Sequence, residues 1–346
     1  MTEVATRIEG RAGRITLTRP QALNALTPPM VTAIQAALDA WRQDPAVALV
    51  LMDGEGERAF CAGGDVAEIY QRARHGDFAF ARAFWAEEFR LNADIASYPK
   101  PVVVRMHGYV LGGGVGLASH ASHRLVGETS RVAMPECTIG YVPDVGGTHL
   151  LARAPGHLGE YLGLTGHRME PGDAILAGFA DRFVAEDAWP ALRERLIAGG
   201  DTAAIEAAAA APPPAPLAPL RAAIDEAFSA PDIATVIARL EADDWGHGVL
   251  KTLRRQSPLS VTTTFAMVRA ARAEPGLAAA LAREYRVAWR IIEAGDMIEG
   301  VRAQVVDKDR SPQWADTLDG VTPARVAALM APLGADELAL PGQPAT

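Results

Sequence analysis

The sequence predicts an α/β fold followed by a mostly helical C-terminal third. Up to about residue 185, short apolar runs of strand length alternate with segments whose apolar residues recur at helical spacing. The apolar runs are continuous, which is typical of strands covered on both faces in a parallel sheet. Beyond residue 220, only helical patterns follow. Strands separated by helices indicate an α/β core with substantial parallel pairing.

Local signals place the elements of the α/β part. A strand at 14–18 ends at a turn before Pro20, and Thr27 followed by two prolines predicts the start of a helix that runs to Trp41. A second helix at 78–97 carries an apolar stripe flanked by Glu87 and Glu88. The other predicted strands are 47–52, 101–106 and 123–126.

An Ala- and Pro-rich stretch precedes the C-terminal helices. It contains three consecutive prolines at 212–214, and proline cannot continue a helix, so the stretch is predicted to be a linker or surface crossover. We therefore expect three parts: an α/β core with the functional site at 1–200, a linker at 201–220 and a helical region at 221–346. The helices predicted beyond the linker are 224–228, 233–240, 259–271 and 277–293.

Composition excludes several classes of function. The 346 residues are 49% hydrophobic, and a formal net charge of -9 without a long basic run argues against nucleic acid or a membrane surface as a partner. Two cysteines, Cys61 and Cys137, are too few for a disulfide framework. The histidines lack metal-ligand spacing, so no metal is expected. The N-terminus resembles neither a signal nor a transit peptide, and no apolar run approaches transmembrane length, so we expect a cytoplasmic protein.

Two glycine-rich turns are candidates for binding a developing negative charge. The first, 62–65, includes Gly63 and Gly64, and the second, 112–114, includes Gly113. Backbone N–H groups at such turns can form an oxyanion hole. A plain tight turn with Asp65 as a helix cap remains open for the first. A close-packed helix–strand junction or a dinucleotide-binding turn remains open for the second, although the third glycine of the dinucleotide pattern is replaced by Leu117.

Two carboxylates occur in a segment, 134–147, that is otherwise apolar, small or turn-forming: Glu136 and Asp144. Charged side chains are rarely placed in apolar surroundings without a partner or a role. Helix capping, or surface pairs with Arg131 and Arg153, remain open as structural explanations. Together with the glycine turns, the two acids favour chemistry on a carbonyl, foremost that of a thioester.

The order and spacing of these segments resemble the crotonase (enoyl-CoA hydratase/isomerase) superfamily over roughly the first 190 residues. The segments that carry the resemblance are 19–26, 59–65, 112–114 and 135–147. The resemblance implies a ClpP/crotonase-like fold of repeated ββα units with a helical C-terminal region. It also implies that the N–H groups of Gly64 and Gly113 form the oxyanion hole for a thioester carbonyl.

The same resemblance implies how an acyl-CoA substrate is held. The carbonyl of Ala62 would accept from the adenine end of coenzyme A, which the loop around Ala22 and Ala25 would also hold. Coenzyme A would be part of the substrate, so no separate cofactor is expected, and formation of a homo-oligomer is left open. The substrate-binding residues that the resemblance implies are Ala22, Ala25, Ala62, Gly63, Asp65 and Glu88.

Departures from the hydratase pattern select a branch of the superfamily. Hydratases use two glutamates, and the position of the first is Gly116 here, whereas the second is retained as Glu136. Asp144, eight positions later, makes the chain similar to the 3-hydroxyisobutyryl-CoA hydrolase branch, and Glu88 matches a pocket glutamate of that branch. His149 stands where the hydrolases more often carry an aromatic residue, and its contribution to the pocket is left open.

The branch implies hydrolysis of 3-hydroxyisobutyryl-CoA to 3-hydroxyisobutyrate and coenzyme A, a step of valine breakdown. Glu136 would attack the carbonyl to give an anhydride, or activate water as a general base. Asp144 would hold the substrate hydroxyl or the attacking water. The alternatives are an enoyl-CoA hydratase or isomerase that uses Glu136 alone, and a catalytically silent acyl-CoA sensor.

Overall fold

The computed structural model describes residues 3–340, which form two β-sheets and a larger number of helices. The strands are β1 (Val4–Glu9), β2 (Ala12–Leu17), β3 (Leu49–Gly54), β4 (Ala59–Cys61), β5 (Val102–Met106), β6 (Tyr109–Leu111), β7 (His123–Val126), β8 (Arg131–Ala133) and β9 (Arg182–Phe183). The α-helices are α1 (Pro28–Trp41), α2 (Val66–Ala73), α3 (Phe78–Ala96), α4 (Gly113–Ala118), α5 (Gly147–Arg153), α6 (Leu158–Thr165), α7 (Pro171–Leu176), α8 (Trp189–Gly199), α9 (Ala203–Ala208), α10 (Arg221–Phe228), α11 (Ile233–Leu240), α12 (Asp244–Leu253), α13 (Pro258–Ala273), α14 (Leu277–Ala294), α15 (Met297–Val301) and α16 (Pro323–Met330). Short 3₁₀ helices are Pro20–Ala22, Glu136–Ile139, Ala218–Leu220 and Gly334–Asp336, and Arg302–Val306 is a π-helix.

The larger sheet has six strands in the order β1-β2-β3-β5-β7-β9. β1 and β2 are antiparallel, and every other neighbouring pair is parallel. The strand order runs in one direction, whereas dinucleotide-binding sheets contain a point at which the order reverses. The dinucleotide-binding interpretation of the second glycine turn is therefore wrong. The α/β fold and its parallel core strands are confirmed.

The smaller sheet, β4-β6-β8, is the feature of the fold that places the glycine turns. Each of its strands has only three residues, too few for a recognisable sequence pattern, and for this reason the sheet was not predicted. β4 and β6 are parallel, so their carboxyl ends lie at the same edge. β4 leads into Ala62 and β6 leads into Gly112 at that edge.

The described residues form two compact units. The first contains the described residues up to Gly64, Arg90–Val132 and Arg168–Pro216. Its core joins strands of the six-stranded sheet to α8 and α9 through a buried apolar cluster that includes Leu51, Val103 and Trp189. The predicted division at residues 200 and 220 stays a prediction.

The second unit contains Asp65–Phe89, Ala133–His167 and the described residues from Leu217 on. It is mainly helical, and α13 packs against both α5 and α6. The helices predicted in the C-terminal third are confirmed, with ends that differ by up to three residues. Within the described residues, no helix combines the length and the apolar character needed to cross a bilayer.

Candidate active site

The first glycine turn lies beside the loop that carries Ala22 and Ala25. The Ala62 N–H donates to the carbonyl of Leu23 at 3.0 Å, and the Leu26 N–H donates to the carbonyl of Gly63 at 2.8 Å. The structure therefore places the loop that carries Ala22 and Ala25 against Ala62 and Gly63. Their binding of coenzyme A stays a prediction.

Asn24 holds this loop in an unusual backbone conformation. Its φ of 55° and that of Leu23, 52°, lie in the left-handed region, which asparagine tolerates better than most residues. The Asn24 side chain is fully buried and donates to the carbonyl oxygens of Ala59 at 2.9 Å and Glu55 at 3.0 Å. The loop is thereby tied to the strand that precedes the first glycine turn.

The two glycine turns approach each other closely. Gly63 has a φ of +107°, and a Cβ added there would lie 3.3 Å from the carbonyl oxygen of Leu111 and 3.9 Å from the nitrogen of Gly113. Gly113 is the first residue of α4, so its N–H belongs to the amides that have no acceptor within the helix. The predicted oxyanion pair, Gly64 and Gly113, thus lies at two adjoining turns of the first unit. Its role in catalysis stays a prediction.

The predicted acids are buried in the second unit. Glu88, Glu136 and Asp144 have exposed fractions of 2%, 6% and 5%, whereas Glu87 is exposed. Such burial excludes solvated surface ion pairs for Glu136 and Asp144. It also agrees with the choice of Glu88 over its neighbour.

These acids hold their protons unusually tightly. Burial raises the pKa of Glu88 to about 8. Burial, together with the charges of Glu284 and Glu88, raises the pKa of Glu136 to about 8. Burial and then the charges of Glu88, Glu136 and Glu284 raise the pKa of Asp144 well above its usual range. The charges of neighbouring carboxylates thus disfavour ionisation of Glu136 and Asp144 in addition to burial.

Glu88, Glu136 and Asp144 are called the acid cluster below. Two of its buried oxygens have no hydrogen-bond partner among the described residues: Oε1 of Glu88 and Oε2 of Glu136. A buried polar atom without a partner costs about 1–3 kcal/mol. In a native protein such an atom requires an explanation, and a role in binding or catalysis is one. The unpaired oxygens therefore make Glu88 and Glu136 candidates for binding or catalysis, and their roles stay predictions.

Asp144 lies in a tight turn between the 3₁₀ helix Glu136–Ile139 and α5. Val145 and Gly146, which follow it, have φ values of 52° and 78°. The Tyr141 hydroxyl donates to Oδ2 of Asp144 at 3.0 Å, and the Tyr141 ring stacks on Trp85 with 5.1 Å between centroids. One carboxylate oxygen is thus fixed by a buried phenol.

Glu284 on α14 is a functional candidate that the sequence analysis missed. Its side chain is fully buried, and burial raises its pKa to about 7. The helix was predicted correctly, and Glu284 lies three or four positions from apolar residues on both sides. A carboxylate on the apolar stripe of a helix is a signal that could have identified it. The apolar neighbours at this spacing are Ala280, Leu281, Val287 and Ala288.

The sequence analysis also singled out Asp65, Gly116 and His149. Asp65 is the N-cap residue of α2, and Gly116 is buried inside α4 without a side chain to move a proton. His149 is half-buried, and burial together with the charge of Arg153 lowers its pKa. Residues 3–340 contain no group of three or more His, Cys, Asp or Glu side chains arranged to hold a metal ion.

The chain is similar to one protein family, whose similar members are named as hydrolases or as hydratases and dehydratases. A family profile described as enoyl-CoA hydratase/isomerase matches residues 12–330. The mitochondrial 3-hydroxyisobutyryl-CoA hydrolase of Xenopus tropicalis is 37% identical over 96% of this chain and 89% of its own length.

Two solved structures are similar over nearly the whole chain. An enoyl-CoA hydratase from Rhodobacter sphaeroides 2.4.1 has a TM-score of 0.94 and 52% identity, and covers 98% of this chain and 100% of its own. A carnitinyl-CoA dehydratase from Mycobacterium thermoresistibile has a TM-score of 0.94 and 43% identity, with coverages of 99% and 100%. The chain has the crotonase fold and belongs to the enoyl-CoA hydratase/isomerase family.

Proposed function

We propose that this protein acts on acyl-CoA thioesters and hydrolyses a short branched 3-hydroxyacyl-CoA, foremost 3-hydroxyisobutyryl-CoA, to the hydroxy acid and coenzyme A. The observation that carries the proposal is the burial of Glu136 with Asp144 in a chain whose residue 116 is glycine. Two-glutamate hydration needs a second proton carrier at that position, and glycine provides none. A buried acid without that carrier suits attack on the thioester carbonyl.

In this proposal the thioester oxygen accepts hydrogen bonds from the N–H groups of Gly64 and Gly113. Each such donor typically contributes about a hundred- to a thousandfold in rate. Glu136 attacks the carbonyl carbon, the carbon–sulfur bond breaks, and water then cleaves the anhydride; general-base activation of water by Glu136 gives the same products. Over the cycle, water supplies the hydroxyl of the acid and the proton of the thiol.

The remaining candidates bind the two ends of the substrate. Asp144 holds the 3-hydroxyl group or the attacking water, and Glu88 forms the polar end of the acyl pocket. The coenzyme A portion is assigned to Ala22, Ala25, Ala62, Gly63 and Asp65. The cytoplasmic location stays a prediction, and the formation of a homo-oligomer stays open.

A second candidate is an enoyl-CoA hydratase or isomerase that uses Glu136 alone. The comparisons favour it over the hydrolase in one respect, because the two similar structures at 52% and 43% identity carry hydratase and dehydratase names, whereas the hydrolase is 37% identical. A pKa of about 8 also suits Glu136 to carrying a proton near neutral pH. Gly116 keeps this candidate second, because Glu136 alone would have to do the work of both acids of the two-glutamate mechanism.

Two substrates separate the candidates. The purified protein is incubated with 3-hydroxyisobutyryl-CoA and with crotonyl-CoA, and thiol release and loss of the double bond are followed in parallel. Thiol release from the first substrate that is lost in Glu136→Gln supports the hydrolase. Turnover of crotonyl-CoA alone contradicts the hydrolase and supports the second candidate. Binding of either thioester without turnover, unaffected by Glu136→Gln, identifies a sensor.

A further inference from the structure

We propose that Glu284 is a positioning residue for Asp144 and for the turn that carries it. Oε2 of Glu284 accepts from the Gly146 N–H at 2.7 Å, and Oε1 accepts from the Thr148 N–H at 2.9 Å. The Thr148 hydroxyl donates to the same Oε1. One carboxylate on α14 therefore receives three hydrogen bonds from the residues that follow Asp144.

The turn needs such support because its backbone is unfavourable. Val145 has a φ of 52°, which is an outlier for a β-branched residue. A conformation of this kind persists only where the surroundings over-determine it. Glu284 bonds the amides on both sides of Gly147, so it holds the end of the turn, while Tyr141 holds the Asp144 side chain itself.

Glu284 also contributes charge to the acid cluster. Its charge raises the pKa values of Glu136 and Asp144. The titratable or charged groups that accompany it are Glu88 on α3, Glu136 on the 3₁₀ helix, Tyr141 and Asp144 in the turn, and Arg283 on its own helix. Removal of the Glu284 charge should therefore lower the pKa values of Glu136 and Asp144. Mere loss of packing would not have this effect.

The inference rests on the proposed function, in that Asp144 is taken to contact the substrate. In Glu284→Gln, one oxygen remains as an acceptor, and an amide NH₂ group faces the other backbone N–H. We expect kcat to fall roughly ten- to a hundredfold, as for loss of a hydrogen bond to a charged group, with a smaller change in KM. The acid limb of the pH profile of kcat/KM should move to lower pH.

Glu160→Gln is the matched control. Glu160 is a fully buried glutamate of the same unit, bonded to Arg272 at 2.8 Å, and it is not among the groups that shift the acid cluster. This variant should alter thermal stability without moving the pH profile.

Thr148→Ser retains the hydroxyl donor to Glu284 and should keep most of the activity, whereas Thr148→Val should lose part of it.

Amide hydrogen exchange of residues 144–150 provides a readout that needs no turnover. Glu284→Gln should lose protection there, and Glu160→Gln should retain it. Unchanged protection, or a pH profile that does not move, overturns the positioning role. If the wild-type protein releases no thiol, the proposed hydrolase function fails, but the positioning role is still tested. The pH profile is then measured with crotonyl-CoA as the substrate, and amide hydrogen exchange is measured on the free protein.

Discussion

The Tyr141 hydroxyl and Oδ2 of Asp144 are joined by a buried hydrogen bond of 3.0 Å. Burial and three neighbouring carboxylates raise the pKa of Asp144, and the Tyr141 hydroxyl lowers it, so the phenol opposes the other influences. The same ring is clamped by its stack on Trp85. Tyr141 therefore fixes the direction of the aspartate side chain and favours its charged form.

Tyr141→Phe should impair catalysis more than it impairs folding. The ring and its stack are retained, but Asp144 loses a donor to its charged form, so its pKa rises further. We expect roughly a tenfold or greater loss of kcat, the magnitude of a lost bond to a charged group, and an acid limb displaced to higher pH. Steady-state kinetics across pH measure both.

Tyr161→Phe is the control for this change, because Tyr161 is a buried tyrosine of the same unit whose hydroxyl faces His167 at 3.3 Å. Its pH profile should match that of the wild type. Equal profiles for the two variants would contradict the role assigned to Tyr141.

Glu136→Gln should remove activity and increase stability at alkaline pH. The pKa of Glu136 is raised from 4.5 to about 8, so between these values the folded state binds more protons than the unfolded state. Stability therefore falls as pH rises through this window, and the neutral glutamine removes that contribution. The Tm of the variant should exceed that of the wild type at pH about 9, and the difference should shrink towards pH about 4.

Thermal unfolding followed by circular dichroism measures this difference. A Glu136→Gln variant that is less stable than the wild type across the whole range would show that the buried carboxylate is not under electrostatic strain.

Glu88→Gln should change the acyl preference and KM of the enzyme. The Glu88 side chain is buried with one unpaired oxygen, whereas Glu87, the adjacent residue on the same helix, is exposed. Glu87→Gln carries the same chemical change and should leave the kinetics unchanged. Kinetics with 3-hydroxyisobutyryl-CoA and its analogue without the hydroxyl group compare the two. Equal effects of both variants would exclude Glu88 from the acyl pocket.

Gly114→Ala should distort the junction of the two glycine turns. A Cβ at this position would lie 2.2 Å from the carbonyl oxygen of Cys61, so the end of β4 has to move. We expect a loss of about 1–3 kcal/mol of stability, together with a loss of activity.

Gly199→Ala is the comparison for this change, because the added Cβ would point into open space. It should be neutral, or stabilising by up to about 1 kcal/mol through helix propensity. Denaturant unfolding and thiol release measure both variants, and an active, fully stable Gly114→Ala would contradict the predicted close packing.

The parts of the fold that were predicted are those with a strong local pattern. β3 and β5 are continuous apolar runs, and helices such as α13 and α14 have clear apolar stripes. β1 was missed because most of its residues are partly or fully exposed. The three-residue strands of the smaller sheet are recognisable only through their pairing, which a single sequence does not display.

The residues of the candidate site follow the same rule: those with a strong local sequence signal were identified, and the one without such a signal was missed. Glu136 and Asp144 were found because charged residues are conspicuous in an apolar segment, and the glycine turns because of their composition. Glu284 was missed because it bonds residues 136 and 138 positions away along the chain, and no local pattern links the two segments. Its helix was expected, but the partner of its carboxylate follows from tertiary structure alone.

The three hydrogen bonds to Glu284 have a consequence for any attempt to build a smaller version of this enzyme. α14 supplies from late in the chain an acceptor for two main-chain amides that begin α5. A truncated protein ending before α14 would leave those amides and the Val145 backbone without their support. A shortened version of the protein that keeps this turn in place should therefore retain the C-terminal helices, including α14, as well as the part of the chain that forms the β-sheets.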